Sequence, residues 1–227
     1  MGSRYRTTTV LTATLILALM LAVPAHASTQ PSIPIQGRYS TLVVRVYIPM
    51  APRWAHDVVL NATIAWNRAQ VWGVVNGSGV VYRFVEADAA SATSKISFSM
   101  PSAYAGIAVG WTIYKYAAGS KTNVVSTQTY LTPMVFNEAN AANATARNYG
   151  FWLALHELGR ILGLGSVLDG KDIMEPRYTP ARISQTPNLS TLDLYALHVL
   201  AQGSAPTFVT LPDGLADQLT PATTFLP

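Results

Sequence analysis

The sequence predicts an α/β fold, because segments of two periodicities follow one another in a layered order. A β-branched alternating run spans residues 39–48, an amphipathic helical stretch follows at about 54–74, and several short alternating runs come after it. Strand, helix and then a set of strands make helices packed on a sheet rather than a sandwich.

The first residues stand apart from that pattern. Arg4 and Arg6 precede an apolar run at 10–23 that ends in Ala25-His26-Ala27, which reads as a secretory signal with an A-x-A cleavage site covering residues 1–27. The run has 14 residues, short of the roughly 20 that a spanning helix needs, and an uncleaved signal anchor is the alternative. The expected destination is therefore secretion or the cell envelope. Removing 27 residues from 227 leaves 200, enough for one domain with a sizeable core. Loss of Arg4 and Arg6 leaves 13 basic against 11 acidic side chains, a net charge of +2. With no basic run and no interleaved aromatics, there is no nucleic-acid footprint. No second apolar run is long enough for a membrane, so no membrane is expected in the mature form. The chain has no cysteine, so its stability must come from the core or from bound ions. Four N-x-S/T triplets occur, at Asn61, Asn76, Asn143 and Asn188; they are glycosylation sites only in a host with the machinery.

Residues 28–38 read as a lead into the domain, which spans 39–202. In the first helix Leu60, Ile64, Val71 and Trp72 recur at helical spacing and predict its apolar stripe. Asn76-Gly77-Ser78-Gly79 marks a turn, and 80–85 and 95–100 read as short strands. The run 106–115 (GIAVGWTIYK) alternates as an edge strand does, and 124–136 is a further strand interrupted by Pro133. A helix from about 143 to 162 carries a broad apolar face of Phe151, Trp152, Leu155, Leu158, Ile161 and Leu162, and Gly163 and Gly165 stop it. The last helix, 190–202, opens with Ser190 as cap and Asp193 three residues on. Residues 203–227, rich in Pro, Thr and Ala, read as an extended C-terminal tail or the start of a stalk.

The stretch His156-Glu157-Leu158-Gly159-Arg160 and its continuation to Pro176 carries the chemistry. Residues four apart on a helix share a face and can both reach one metal ion, and the residue after the first ligand stands over metal-bound water. On that logic His156 is a first ligand, Glu157 a general base and Arg160 stands at the second-ligand position. Gly163 allows a sharp turn that returns Ser166 to the same point.

From His156 to Pro176 the chain resembles the metzincin zinc peptidases, whose pattern is H-E-x-x-H-x-x-G-x-x-H followed by a Met-turn, and within them the matrixins. In that family an Asp follows the third ligand by three residues, a Met by eight and a Pro by ten; Asp169, Met174 and Pro176 keep these intervals from Ser166. The plain alternative, an amphipathic helix with a Glu157–Arg160 surface pair, explains HELGR but not those three spaced residues. The resemblance implies a twisted mixed sheet of about five strands with an edge strand over the cleft, an active-site helix, a Met-turn and a C-terminal helix. It implies zinc as cofactor. It also implies that an extended peptide lies antiparallel along the strand containing Gly106, Ile107, Ala108, Val109 and Gly110; a merely protected edge is the other reading.

The departures fall on the ligands. Arg offers no lone pair to a metal, and a dication ~4 Å from a guanidinium is opposed by ~8 kcal/mol at an effective dielectric of ~20. That could cancel much of the ~10 to 16 kcal/mol with which complete structural zinc sites bind. Other histidines do not restore the set: His56 and His198 read as structural. Asp169 or Asp172 swinging into the cleft, and a Ser166–His156 hydrolase pair without an acid partner, are the remaining alternatives. The expectation is that Arg160 fills the vacated place and pairs with Glu157, with Glu175 pairing with Arg177 or Arg160. Zinc binding is then weak or lost, and the protein is a secreted pseudoenzyme that binds extended peptide or protein or serves a structural role. The alternative is an active zinc-dependent metalloendopeptidase with Glu157 as base and unconventional ligands.

Overall fold

The computed structural model of the chain describes residues 32–72, 81–167, 172–175 and 186–226; Asp169, Pro176 and Arg177 lie outside them. In chain order the elements are β1 (Ser32–Pro34), β2 (Arg38–Tyr39), β3 (Val43–Tyr47), α1 (Arg53–Trp72), β4 (Arg83–Glu86), β5 (Ser94–Ser97), β6 (Gly110–Tyr116), β7 (Asn123–Leu131), α2 (Ala144–Ile161), β8 (Asn188–Ser190), α3 (Thr191–Ala201), β9 (Phe208–Thr210) and β10 (Leu219–Pro221). The fold is mixed α/β with a mostly parallel sheet.

Strands β4, β3, β5 and β7 lie side by side and parallel, and the two residues of β2 join β7 in the same sense. Only β6 runs antiparallel, along β7, and among the described residues it pairs with no other strand. One face of the sheet is covered: Val44 and Val46 are fully buried while their neighbours Val43 and Arg45 point to solvent. The helices supply the cover. The deeply buried stripe of α1 is Ala55, Val59, Ala62, Ala65, Trp66 and Ala69, whereas Leu60 and Ile64 are only half-buried. Alanines at that spacing let α2 approach closely, and the Trp66 indole N–H donates to the Leu155 carbonyl at 2.9 Å. Asn143 caps α2, its side chain accepting from Ala146 N at 3.1 Å.

Two expectations change. The edge strand begins at Gly110, not Gly106, because a turn holds the preceding residues: Ile107 N and Ala108 N both donate to the Tyr104 carbonyl, at 3.1 and 3.2 Å. Its partner β7 ends at Leu131, opposite Gly110, and beyond that pair the Val109 carbonyl makes one further link, accepting from Thr132 N at 2.9 Å. The segment after Gly203 is not a free tail. β9 pairs with β1, β10 pairs with β8, and Val209, Leu211, Ala222 and Phe225 are buried.

Helix α3 carries the capping box: Ser190 Oγ accepts from Asp193 N at 3.0 Å and Asp193 Oδ2 accepts from Ser190 N at 3.1 Å. The other oxygen of Asp193 is buried without a donor, and the Asp193 carboxyl is pushed well above the usual range, first by burial and then by the charge of Asp172. The folded chain therefore holds a proton here that the unfolded chain releases near pH ~4, so stability falls as pH rises from there towards the folded pKa. Asp193→Asn keeps an acceptor for Ser190 N and gives Asp172 a donor. It is expected to flatten this pH dependence and to raise the melting temperature at pH 8 by about 2–4 °C, the response of a domain of this size to about 1 kcal/mol. Thermal melts of both proteins from pH 4 to 8 check it; parallel curves would rule out a proton held at Asp193 in the folded chain.

Candidate functional site

Helix α2 turns one face towards β6, and the gap between them is a cavity of about 460 Å³. Its wall is Ile107, Ala108, Val109, Gly110, Trp111 and Thr112; its other side is Trp152, Leu153, His156, Glu157, Arg160 and Ser166. His156, Glu157, Arg160 and Ser166, singled out in the HELGR stretch and its turn, thus meet at one place, while Gly163 does not line it. Of the strand residues singled out, Gly106 does not line the cavity.

Local chemistry fixes each side chain. His156 is 7 % exposed, stacks on Trp152 with ring centroids 5.5 Å apart, and sets Nδ1 2.8 Å from the Ile173 carbonyl. A carbonyl can only accept, so Nδ1 carries the proton and Nε2 the lone pair in the neutral ring. That carbonyl belongs to the turn around Met174. There Asp172 Oδ1 accepts from Met174 N at 2.7 Å, and Val167 N donates to the Met174 carbonyl at 3.0 Å. Met174 is fully buried beneath α2, where Gly159 leaves it room: a Cβ on Gly159 would stand 2.5 Å from the Met174 sulfur.

Glu157 does not pair with Arg160. Among the described residues the ion pairs are Arg53–Asp57, His56–Asp57 and His56–Glu86. Glu157 turns to the strand instead: Thr112 Oγ1 donates to its Oε2 at 2.6 Å, and Gly110 has no Cβ, which would lie 2.5 Å from Oε1. The hydroxyls of Thr112 and Thr129 are 2.9 Å apart, so the strand pair β6–β7 anchors the acid. Arg160 follows the chain round the turn, and its Nη1 donates to Ser166 Oγ at 3.1 Å. Glu175 is buried and is not an ion-pair partner of Arg160 either; Arg177 falls outside the described residues.

The turn after α2 makes the Arg160–Ser166 meeting possible. Gly163 sits at φ +100°, with Gly163 N donating to the Arg160 carbonyl at 2.8 Å and Leu164 N to the Gly159 carbonyl at 3.1 Å. The segment after β1 clamps it: Gln36 N donates to the Gly163 carbonyl at 2.8 Å and Gly165 N to the Pro34 carbonyl at 2.6 Å.

Sequence reasoning missed Thr112, Tyr114 and Trp152. Inward positions 110, 112, 114 and 116 alternate along β6, so the strand's own period carried the signal for the first two, and Trp152 lies one helical turn before His156. The Tyr114 hydroxyl donates to the Arg160 carbonyl at 2.5 Å. Burial is the main cause that raises this phenol's pKa far above its ordinary value; the charge of Arg160 works against the shift and that of Glu157 with it. His56 lies elsewhere, its Nε2 2.8 Å from Glu86 Oε1, and His198 Nε2 lies 3.0 Å from the Gln202 side-chain nitrogen on α3.

Zinc, which the resemblance implies, needs three protein lone-pair donors and a water or four protein donors. The cavity offers one imidazole, a carboxylate already bonded to Thr112, a guanidinium and a hydroxyl accepting from that guanidinium. Among the described residues no group of three His, Cys, Asp or Glu stands close enough to hold a metal ion. This donor set does not fit zinc. Among the same residues no helix is long and apolar enough to cross a membrane. No protein-family model matches the chain, and no curated protein matches its sequence.

Proposed function

We propose that this chain is an exported, matrixin-like member of the metzincins whose cleft holds extended peptide without cleaving it. The observation that carries this reading is the Arg160–Ser166 hydrogen bond, because it joins the two positions at which the family pattern requires imidazoles. The mixed sheet with an antiparallel edge strand, the helix beside it, the buried Met174 and α3 all agree with the architecture that the resemblance implies.

Peptide would be held by main-chain pairing. An edge strand presents unpaired N–H and C=O groups, and adding a strand there gives affinity without chemistry. Exposed apolar groups flank that edge: Ile107 is 82 % exposed, and Trp111 is 42 % exposed and stacks on Tyr104 with centroids 4.7 Å apart. Glu157, its Oε2 held by Thr112, acts as a wall of the cleft.

Hydrogen exchange tests the reading. A randomised hexapeptide pool is expected to slow exchange of the amides of β6 about tenfold at saturation and to leave β4, on the far side of the sheet, unchanged. Unchanged exchange in β6 with the pool in excess would count against it.

A further inference from the structure

The guanidinium of Arg160 lines the cavity, and among the described residues no carboxylate stands within ion-pair distance of it. Among the described residues its side chain makes one hydrogen bond, to Ser166 Oγ. A guanidinium has five N–H donors and no acceptor, and a serine hydroxyl that accepts from it still has its own proton to donate. The pair is therefore a donor-only surface carrying one positive charge. The other charged group among the cavity's described lining residues, Glu157, is held at the β6 wall by Thr112, beside Gly110.

The shape of the cavity adds a second constraint. Along β6 its lining stops at Thr112, and the next inward residue, Tyr114, spans the gap and bonds to the Arg160 carbonyl. Tyr116 continues the barrier, stacked on Tyr114 with centroids 6.0 Å apart and donating to the Gln36 carbonyl at 2.8 Å. A strand entering between β6 and α2 meets a closed end where Arg160 and Ser166 stand.

We infer that the cleft is a receptor for the free C-terminal carboxylate of an extended peptide, with Arg160 and Ser166 binding the carboxylate and β6 pairing with the main chain before it in the parallel sense, in place of the antiparallel sense that the resemblance implies. The inference rests on the peptide-binding reading above and names the ligand class for that site. Planar, two-oxygen carboxylates suit the guanidinium fork. The positive charge at this point, which in the resembling family belongs to the metal, here selects an anion.

The test uses one randomised, N-acetylated hexapeptide pool in two forms, free acid and C-terminal carboxamide, with retention on the intact protein read by mass spectrometry. Free acids are expected to bind ten- to hundred-fold more tightly than the amides, about the range for hydrogen bonds to a charged group. Arg160→Gln is expected to erase the difference, and Ser166→Ala to reduce it. Equal retention of both forms on the parent, with β6 amides protected, overturns the carboxylate assignment and leaves the peptide-binding reading intact. Retention of carboxamides only when they contain Asp or Glu moves the anion to a side chain and likewise overturns the terminal assignment. Retention of neither form overturns both readings. Should Arg160→Gln fail to fold, the acid and amide comparison on the parent decides alone.

Discussion

Arg160→His combined with Ser166→His is expected to raise zinc affinity at least a thousandfold, about 4 kcal/mol, over the parent. Helix α2 already sets positions 156 and 160 one turn apart on the cavity side, and the 3.1 Å contact between Arg160 and Ser166 demonstrates that side chains at 160 and 166 meet. Two substitutions remove the repelling guanidinium, worth ~8 kcal/mol against a dication at ~4 Å, and complete a three-imidazole set. His156 keeps its orientation because the Ile173 carbonyl holds Nδ1. Competitive chelator titration measures the change. Affinity in the double variant no higher than in the parent would mean that the three positions do not converge as described.

Gly163→Ala is expected to destabilise the chain by about 3–5 kcal/mol and lower the melting temperature by roughly 10 °C. At φ +100° an alanine is strained by about 1–3 kcal/mol, and its Cβ would collide with the carbonyl oxygen of Gly37, which is backbone and cannot rotate aside. Relief of the collision must move either the segment after β1 or the turn that brings Ser166 to Arg160. Gly119→Ala is the control: at φ +75° it meets nothing within 4 Å and bears the conformational strain alone. Thermal unfolding of the two variants separates the effects. Equal losses would show that the clamp on Gly163 is not tight.

The turn and the helix before it were legible because their constraints are local. A glycine at the end of a helical period is a stop, and positions four apart on a helix share a face whatever surrounds them. The start of β6 was not legible: residues 106–109 alternate like a strand, but a strand exists only where a partner does, and β7 ends opposite Gly110. The partner of Glu157 was hidden for the same reason. Its i,i+3 neighbour Arg160 is visible in sequence, whereas Thr112 is 45 residues away and meets it only once β6 lies across α2. The C-terminal segment misled because Val209, Leu211, Ala222 and Phe225 fill gaps on different elements and so show no single period. Alanines in α1 misled in the opposite direction: their burial reflects how close α2 comes, which no count of large apolar residues reports.

On the proposed function, this cleft retains peptide and does not hydrolyse it. The most direct measurement is incubation of the parent protein with the free-acid hexapeptide pool and excess zinc, followed by mass spectrometry of the peptide termini. The peptides are expected to remain bound and intact. New termini that disappear with a chelator and in Glu157→Gln would contradict it.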